Sequence, residues 1–170
     1  QANGYNDDGW IQYTLNTKGF PSGVKDLFGG NNQPTEQSVG ALNPLAKDVY
    51  FFNEDGNISV YGTKDATVKD EITLTLGITA DDDDGLNDNN DVIENYNAST
   101  VIYTGIKGAE IGLLNYEESQ IELYNIASGN MTRTLTLPTG APAYDNLNFS
   151  YTNGIYWLFD KETRIWKGYK

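Results

Sequence analysis

From about residue 48 onward, apolar and polar positions alternate with a period of two. In EITLTLGI, Ile72, Leu74, Leu76 and Ile78 fall on one side, with Glu71, Thr73, Thr75 and Gly77 on the other. That spacing predicts strands with one packed face and no helix. Ile58 and Val60 alternate in NISVY, Ile121 and Leu123 in QIELY, and Leu135 and Leu137 in RTLTLP. In GIYWLFD, Ile155, Trp157 and Phe159 share one face, and the period assigns Trp157 and Phe159 to the core; Tyr156 and Leu158 share the other face. Trp10, Gln12 and Thr14 alternate against Ile11, Tyr13 and Leu15 near the start. No stretch reads as an amphipathic helix of three turns. A short turn of helix is admitted around Val39 to Leu42, with Pro44 stopping its continuation.

Turn chemistry separates these runs. Asn53-Glu54-Asp55-Gly56-Asn57, Ser128-Gly129-Asn130 and Thr152-Asn153-Gly154 each join a pair of strand-like segments, and Asp-Gly is a strong hairpin signal. Three strand–turn–strand–turn–strand units result, roughly Asp48 to Ile78, Ala109 to Leu137 and Leu147 to Tyr169. An irregular arm, Thr17 to Pro44, and an acidic insertion, Thr79 to Asn97, interrupt them. The expected fold is a single all-β domain over residues 1–170, an antiparallel β-sandwich of short meanders.

The run QIELYNIASGNMTRTLTLPTGAPAYDNLNFSYTNGIYWLFD resembles consecutive blades of a β-propeller of the YVTN/WD40-like kind. Asn125, Ser128-Gly129, Thr132 to Leu137 and Gly140-Ala141-Pro142 occupy the blade's strand end, turn, third strand and link. A closed propeller needs at least about four blades, and this chain supplies about three meanders. The resemblance therefore implies, as the alternative to a sandwich, a partial propeller or one completed by other chains.

Charge changes the picture most between Ala80 and Asp91, where ADDDDGLNDNND sets six aspartates around one glycine. At contact spacing each like-charge pair costs about 1 kcal/mol in water and several times more near a protein surface. A bound hard cation relieves that repulsion, and so does full exposure of every carboxylate to solvent. Calcium, with its six to eight oxygen ligands, is the cation that fits. The segment resembles the calcium loops of thrombospondin type 3 repeats, dockerins and related EF-hand-like segments. With Gly85 as the turn glycine, the resemblance places Asp82, Asp84, Asp88 and Asp91 at the third, fifth, ninth and twelfth loop positions. Ala80 at the first position departs from the pattern, because its side chain carries no oxygen. Asn6-Asp7-Asp8-Gly9 reads as an ordinary turn.

The chain has no cysteine and no histidine. That excludes thiol catalysis, Cys-ligated metal, the serine triad and nearly every catalytic zinc site. A net charge of −13 opposes nucleic acid and direct docking on an anionic membrane. No run approaches the ~18 apolar residues of a membrane span. The start at Gln1, the Asn/Asp/Gly/Thr/Tyr-rich composition and the acidic insertion together lead us to expect an extracellular or cell-surface protein whose signal peptide has been removed.

Tyr151, Tyr156, Trp166 and Tyr169 are candidate ligand-binding aromatics, able to stack on sugar rings or a protein partner. Glu110, Glu117, Glu118 and Asp145 could be nominated for glycoside hydrolysis. Adjacent residues on a strand point to opposite faces, however, and no spacing predicts paired acids across a cleft. No enzyme is expected. Asn57, Asn97, Asn130 and Asn148 begin N-x-[ST] triplets, a number that chance supplies in so Asn- and Thr-rich a chain. Two functional expectations follow. One is a secreted structural subunit or adhesion module of an extracellular or virion assembly, calcium-stabilised and associating with itself or other surface proteins. The other is a lectin-like module that binds carbohydrate or protein.

Overall fold

The computed structural model describes residues 11–26, 40–53, 56–64, 67–76, 95–96, 101–105, 110–143 and 149–170. These form antiparallel strands throughout, with no helix among the described residues and no sheet closed into a barrel. Strands β1 (Ile11–Leu15) and β2 (Pro21–Asp26) pair with each other. Strands β3 (Ala41–Asn43), β4 (Asp48–Phe52), β5 (Asn57–Gly62) and β6 (Val68–Thr73) make a four-stranded meander, the first sheet. The middle sheet is a second four-stranded meander, β7 (Ile102–Tyr103), β8 (Glu110–Asn115), β9 (Gln120–Asn125) and β10 (Met131–Thr136). The last sheet has three strands, β11 (Phe149–Thr152), β12 (Ile155–Asp160) and β13 (Ile165–Tyr169).

Local chemistry sets these turns. Asn153 and Gly154 both take positive φ, 52° and 76°, in the two-residue link between β11 and β12. That is the conformation of a primed hairpin turn, whose twist matches the flanking strands. Gly129 at φ 68° closes the β9–β10 turn, where its N–H donates to the Asn125 carbonyl at 2.8 Å. An Asx side chain opens each longer turn. Asn43 Oδ1 accepts from the Ala46 amide at 3.1 Å, Asn115 Oδ1 from Glu118 at 2.9 Å, and Asp160 Oδ1 from Glu162 at 3.0 Å.

The sheets pack face on face. All six residues of β8 are buried, because the middle sheet is covered on both sides. Ile111, Leu113 and Tyr124 face Tyr50, Phe52, Ile58 and Val60 of the first sheet. Leu114, Ile121 and Leu123 take the alternate positions and face Tyr156 and Leu158 of the last sheet. Each fully buried aliphatic side chain there contributes about 1.5–3 kcal/mol. The leading strands also meet, with β7 lying beside both β3 and β11.

Four expectations need correction. Ala41 and Leu42 form β3 instead of a helical turn, pairing with Tyr50 and Val49; burial of Ala41 and Asn43 around exposed Leu42 gives the strand its period. The arm from Thr17 to Pro44 holds both β2 and β3, while residues 27–39 lie outside the described set. The alternation through Ile78 does not continue β6 past Thr73. There the chain exchanges partners, and Thr75 N–H donates to the Gly129 carbonyl of the middle sheet at 2.8 Å. Finally, the better-packed face of β12 is Tyr156, Leu158 and Asp160, whereas Ile155, Trp157 and Phe159 are only half-buried. The middle sheet lies on the first of these faces and decides which one is core.

Candidate functional site

The four candidate calcium ligands, Asp82, Asp84, Asp88 and Asp91, lie outside the described residues. The chain on either side of them is described. Leu76 packs on the core between the first and middle sheets, and Tyr96 belongs to that same core. Tyr96 also bridges to Asn115, and its ring meets Phe52 at 5.8 Å between centroids. Both approaches to the acidic segment are thus tied to one interface.

That interface contains a polar centre the sequence reading did not anticipate. Glu122 is fully buried in the middle of β9. Its Oε2 accepts from Tyr96 Oη at 2.6 Å and also from Tyr124 Oη. Its Oε1 accepts from Asn115 Nδ2 and Gln120 Nε2, each at 2.9 Å. Four neutral donors therefore solvate one carboxylate in place of water. Burial first, and the neighbouring carboxylate second, hold the Tyr96 and Tyr124 hydroxyls well above the ordinary tyrosine range. In QIELY, Glu122 alternates against Ile121 and Leu123 and looks like a solvent-facing position. The signal that it is not is Tyr124, two residues on and on the same face.

A second buried polar group joins the middle and last sheets. Arg133 Nη2 meets Glu110 Oε1 at 3.0 Å, and Thr104 Oγ1 donates to the same oxygen at 3.0 Å. Tyr156 Oη lies 3.5 Å from Arg133. The Glu110 hydrogen bond, more than any other cause, raises the guanidinium above its ordinary range.

A cleft of about 570 Å³ opens between the first sheet and the β9–β10 turn. Asp48, Tyr50, Lys69, Asp70, Glu71 and Ser128 are among its lining residues. Lys69 is ion-paired with Asp48. Burial raises the Tyr50 hydroxyl above its usual range, against the lowering effect of its bond from Asn43. Among the described residues, no group of three or more acidic, His or Cys side chains is disposed to hold a metal ion. No protein-family model matches the chain, and no curated protein matches it.

The candidate aromatics divide between the faces of the last sheet. Tyr151, Tyr156 and Tyr169 form one cross-strand row, with Tyr156 opposite both neighbours. All three pack toward the middle sheet, Tyr151 and Tyr156 with ring centroids 4.9 Å apart. Trp166 lies on the opposite face, 46% exposed, with its ring 5.4 Å from Phe159. The structure brings together three of the four and sets Trp166 apart. Trp157 covers Gly168 on the Trp166 side, and its buried Nε1 has no hydrogen-bond partner among the described residues.

Proposed function

We propose that the chain is a non-enzymatic structural subunit or adhesion module of an extracellular assembly, joining copies of itself or other surface proteins through sheet edges and faces. The observation that carries this reading is the incomplete last sheet. The first and middle sheets have four strands each, whereas the last stops at three and leaves the far edge of β13 without a partner strand among the described residues. An open edge offers a row of unused main-chain donors and acceptors and is a ready template for another chain. Apposition of β3, β7 and β11 supports the partial-propeller form of the architecture, in which further sheets continue the stack.

Calcium belongs to the same proposal. Held by Asp82, Asp84, Asp88 and Asp91, it neutralises the crowded carboxylates and orders a segment whose approaches, at Leu76 and Tyr96, enter the core. Sedimentation equilibrium over rising concentration, with calcium and then with chelator, tests the assembly reading. Species heavier than one chain are expected; a compact monomer at every concentration overturns it.

A further inference from the structure

We infer that the open edge of β13 receives β1 of a second copy of this chain as the fourth strand of its sheet. The inference rests on the self-association reading and names the contact.

The two complete sheets define what a fourth strand looks like here. β6 reads V-K-D-E-I-T and β10 reads M-T-R-T-L-T, each with an apolar first residue, an aliphatic fifth and a threonine sixth. The fifth residue packs on a core cluster in both strands, Ile72 on one and Leu135 on the other, and in β10 the first residue, Met131, packs as well. Ile11 to Leu15 reads I-Q-Y-T-L, with an apolar first residue and an aliphatic fifth, Leu15, as in β6 and β10, and with Tyr13 where those strands carry Asp70 and Arg133. Leu15 is 60% exposed where its counterparts are half-buried. β1 thus has the pattern of an outer strand but lies in a two-stranded sheet with β2. An isolated hairpin of that kind is marginal in water.

Register specifies the match. Ile72 pairs with Ile58, the second residue of β5, and Leu135 pairs with Ile121, the second residue of β9. The second residue of β13 is Trp166. Leu15 therefore falls opposite Trp166, and both side chains are exposed without such a partner, at 60% and 46%. The faces agree as well. Ile58 and Ile121 each point toward the following sheet in the stack, and Trp166 lies on the face of the last sheet turned away from the middle one. β2 occupies one edge of β1, and among the described residues no strand occupies the other. Within the chain β1 pairs with β2 and not with β13, and the proposal takes the added strand from another copy. The two patches differ, which makes the contact head-to-tail and leads to a ring or filament.

The absence of cysteine makes the test direct. Full-length Leu15→Cys and Trp166→Cys variants are mixed and oxidised, with Leu45→Cys, at a position 90% exposed, replacing Leu15→Cys in the control. A disulfide-linked species of twice the chain mass is expected from the first mixture, with only background from the control. Leu15→Asp in the otherwise native chain reads the same contact without touching Trp166, and loss of the heavier species in sedimentation is expected. Native chains that associate while neither variant has these effects overturn the β1–β13 contact and leave the assembly reading standing. Monomers throughout overturn both. Rapid internal cross-linking of a Leu15→Cys/Trp166→Cys double variant at high dilution assigns the strand to the same chain and overturns the second copy.

Discussion

Tyr96 donates its phenolic hydrogen to Oε2 of Glu122 across 2.6 Å, in an interior where Glu122 is wholly shielded from solvent. One residue stands five positions after Asp91 and the other in β9, an inner strand of the middle sheet. The bond thus ties the chain leaving a highly charged stretch to the most enclosed carboxylate among the described residues.

Removing one side of that network exposes its energetics. Glu122→Ala leaves the buried Tyr96 and Tyr124 hydroxyls without their acceptor and takes one acceptor each from Asn115 and half-buried Gln120, so a loss of about 3 kcal/mol or more is expected. Tyr96→Phe removes the bond to the Glu122 carboxylate and the longer one accepted from Asn115, and should cost about 1.5–3 kcal/mol. Urea unfolding midpoints at constant slope measure both. Equal, near-zero shifts would mean that the network is not formed in solution.

The buried tyrosines set an alkaline limit. Desolvation raises the hydroxyls of Tyr50, Tyr61, Tyr96, Tyr124 and Tyr156 in the folded chain. The unfolded chain releases these protons near pH ~10, while the native state still holds them. Stability is then full below that pH and falls as pH rises above it. Tyrosinate absorbance should appear for these residues together with loss of the β-sheet circular dichroism signal. Ionisation of all tyrosines with the fold intact would contradict the burial.

Acid acts at the last hairpin. The Lys167 ammonium, 2.7 Å from Asp160, and the Thr163 amide hold the Asp160 carboxyl well below the usual aspartate range. The unfolded carboxyl takes its proton near pH ~4 and the folded one resists it. This contribution is therefore complete above pH ~4 and is lost as pH falls below it. Asp160→Asn should flatten the acid side of a stability–pH profile and leave the neutral-to-alkaline shape unchanged.

Gly129 tests how the first and middle sheets lock. A Cβ at this position would lie 2.0 Å from the Thr73 carbonyl oxygen, and φ is +68°. Gly129→Ala should cost about 1–3 kcal/mol in backbone strain alone, and more through displacement of the turn. Faster amide exchange at Thr75, whose hydrogen bond ends on Gly129, is the local readout.

Calcium titration addresses the acidic segment. Heat of binding and a raised melting temperature are expected from the parent chain, with stabilisation of about 2.7 kcal/mol at a hundredfold excess over Kd. Asp84→Ala and Asp88→Ala should each abolish most of the heat. No heat from the parent chain ends the calcium proposal.

The strands were readable where alternation was strong and a turn signal followed, as in β5, β9 and β12. β2 was not, because Pro21 and Gly23 argue against a strand until Val24 and Gly23 are seen opposite Tyr13 and Thr14. β3 and β7 were missed because three and two residues carry too little pattern, and a neighbouring sheet decides their conformation. Among the candidate aromatics, the shared row of Tyr151, Tyr156 and Tyr169 follows from register, which one strand cannot reveal.

By itself the order of residues determined the β character, the hairpin positions and the chemistry open to a chain without histidine or cysteine. Those are local properties, set by side-chain period, by glycine and Asx turns, and by which functional groups exist. Only the tertiary structure decided which face of β12 is buried, where Glu122 finds its four donors and which sheet has three strands among the described residues. A strand has two faces and two edges that its own sequence leaves nearly equivalent. The choice between them is made by whatever packs or pairs against each.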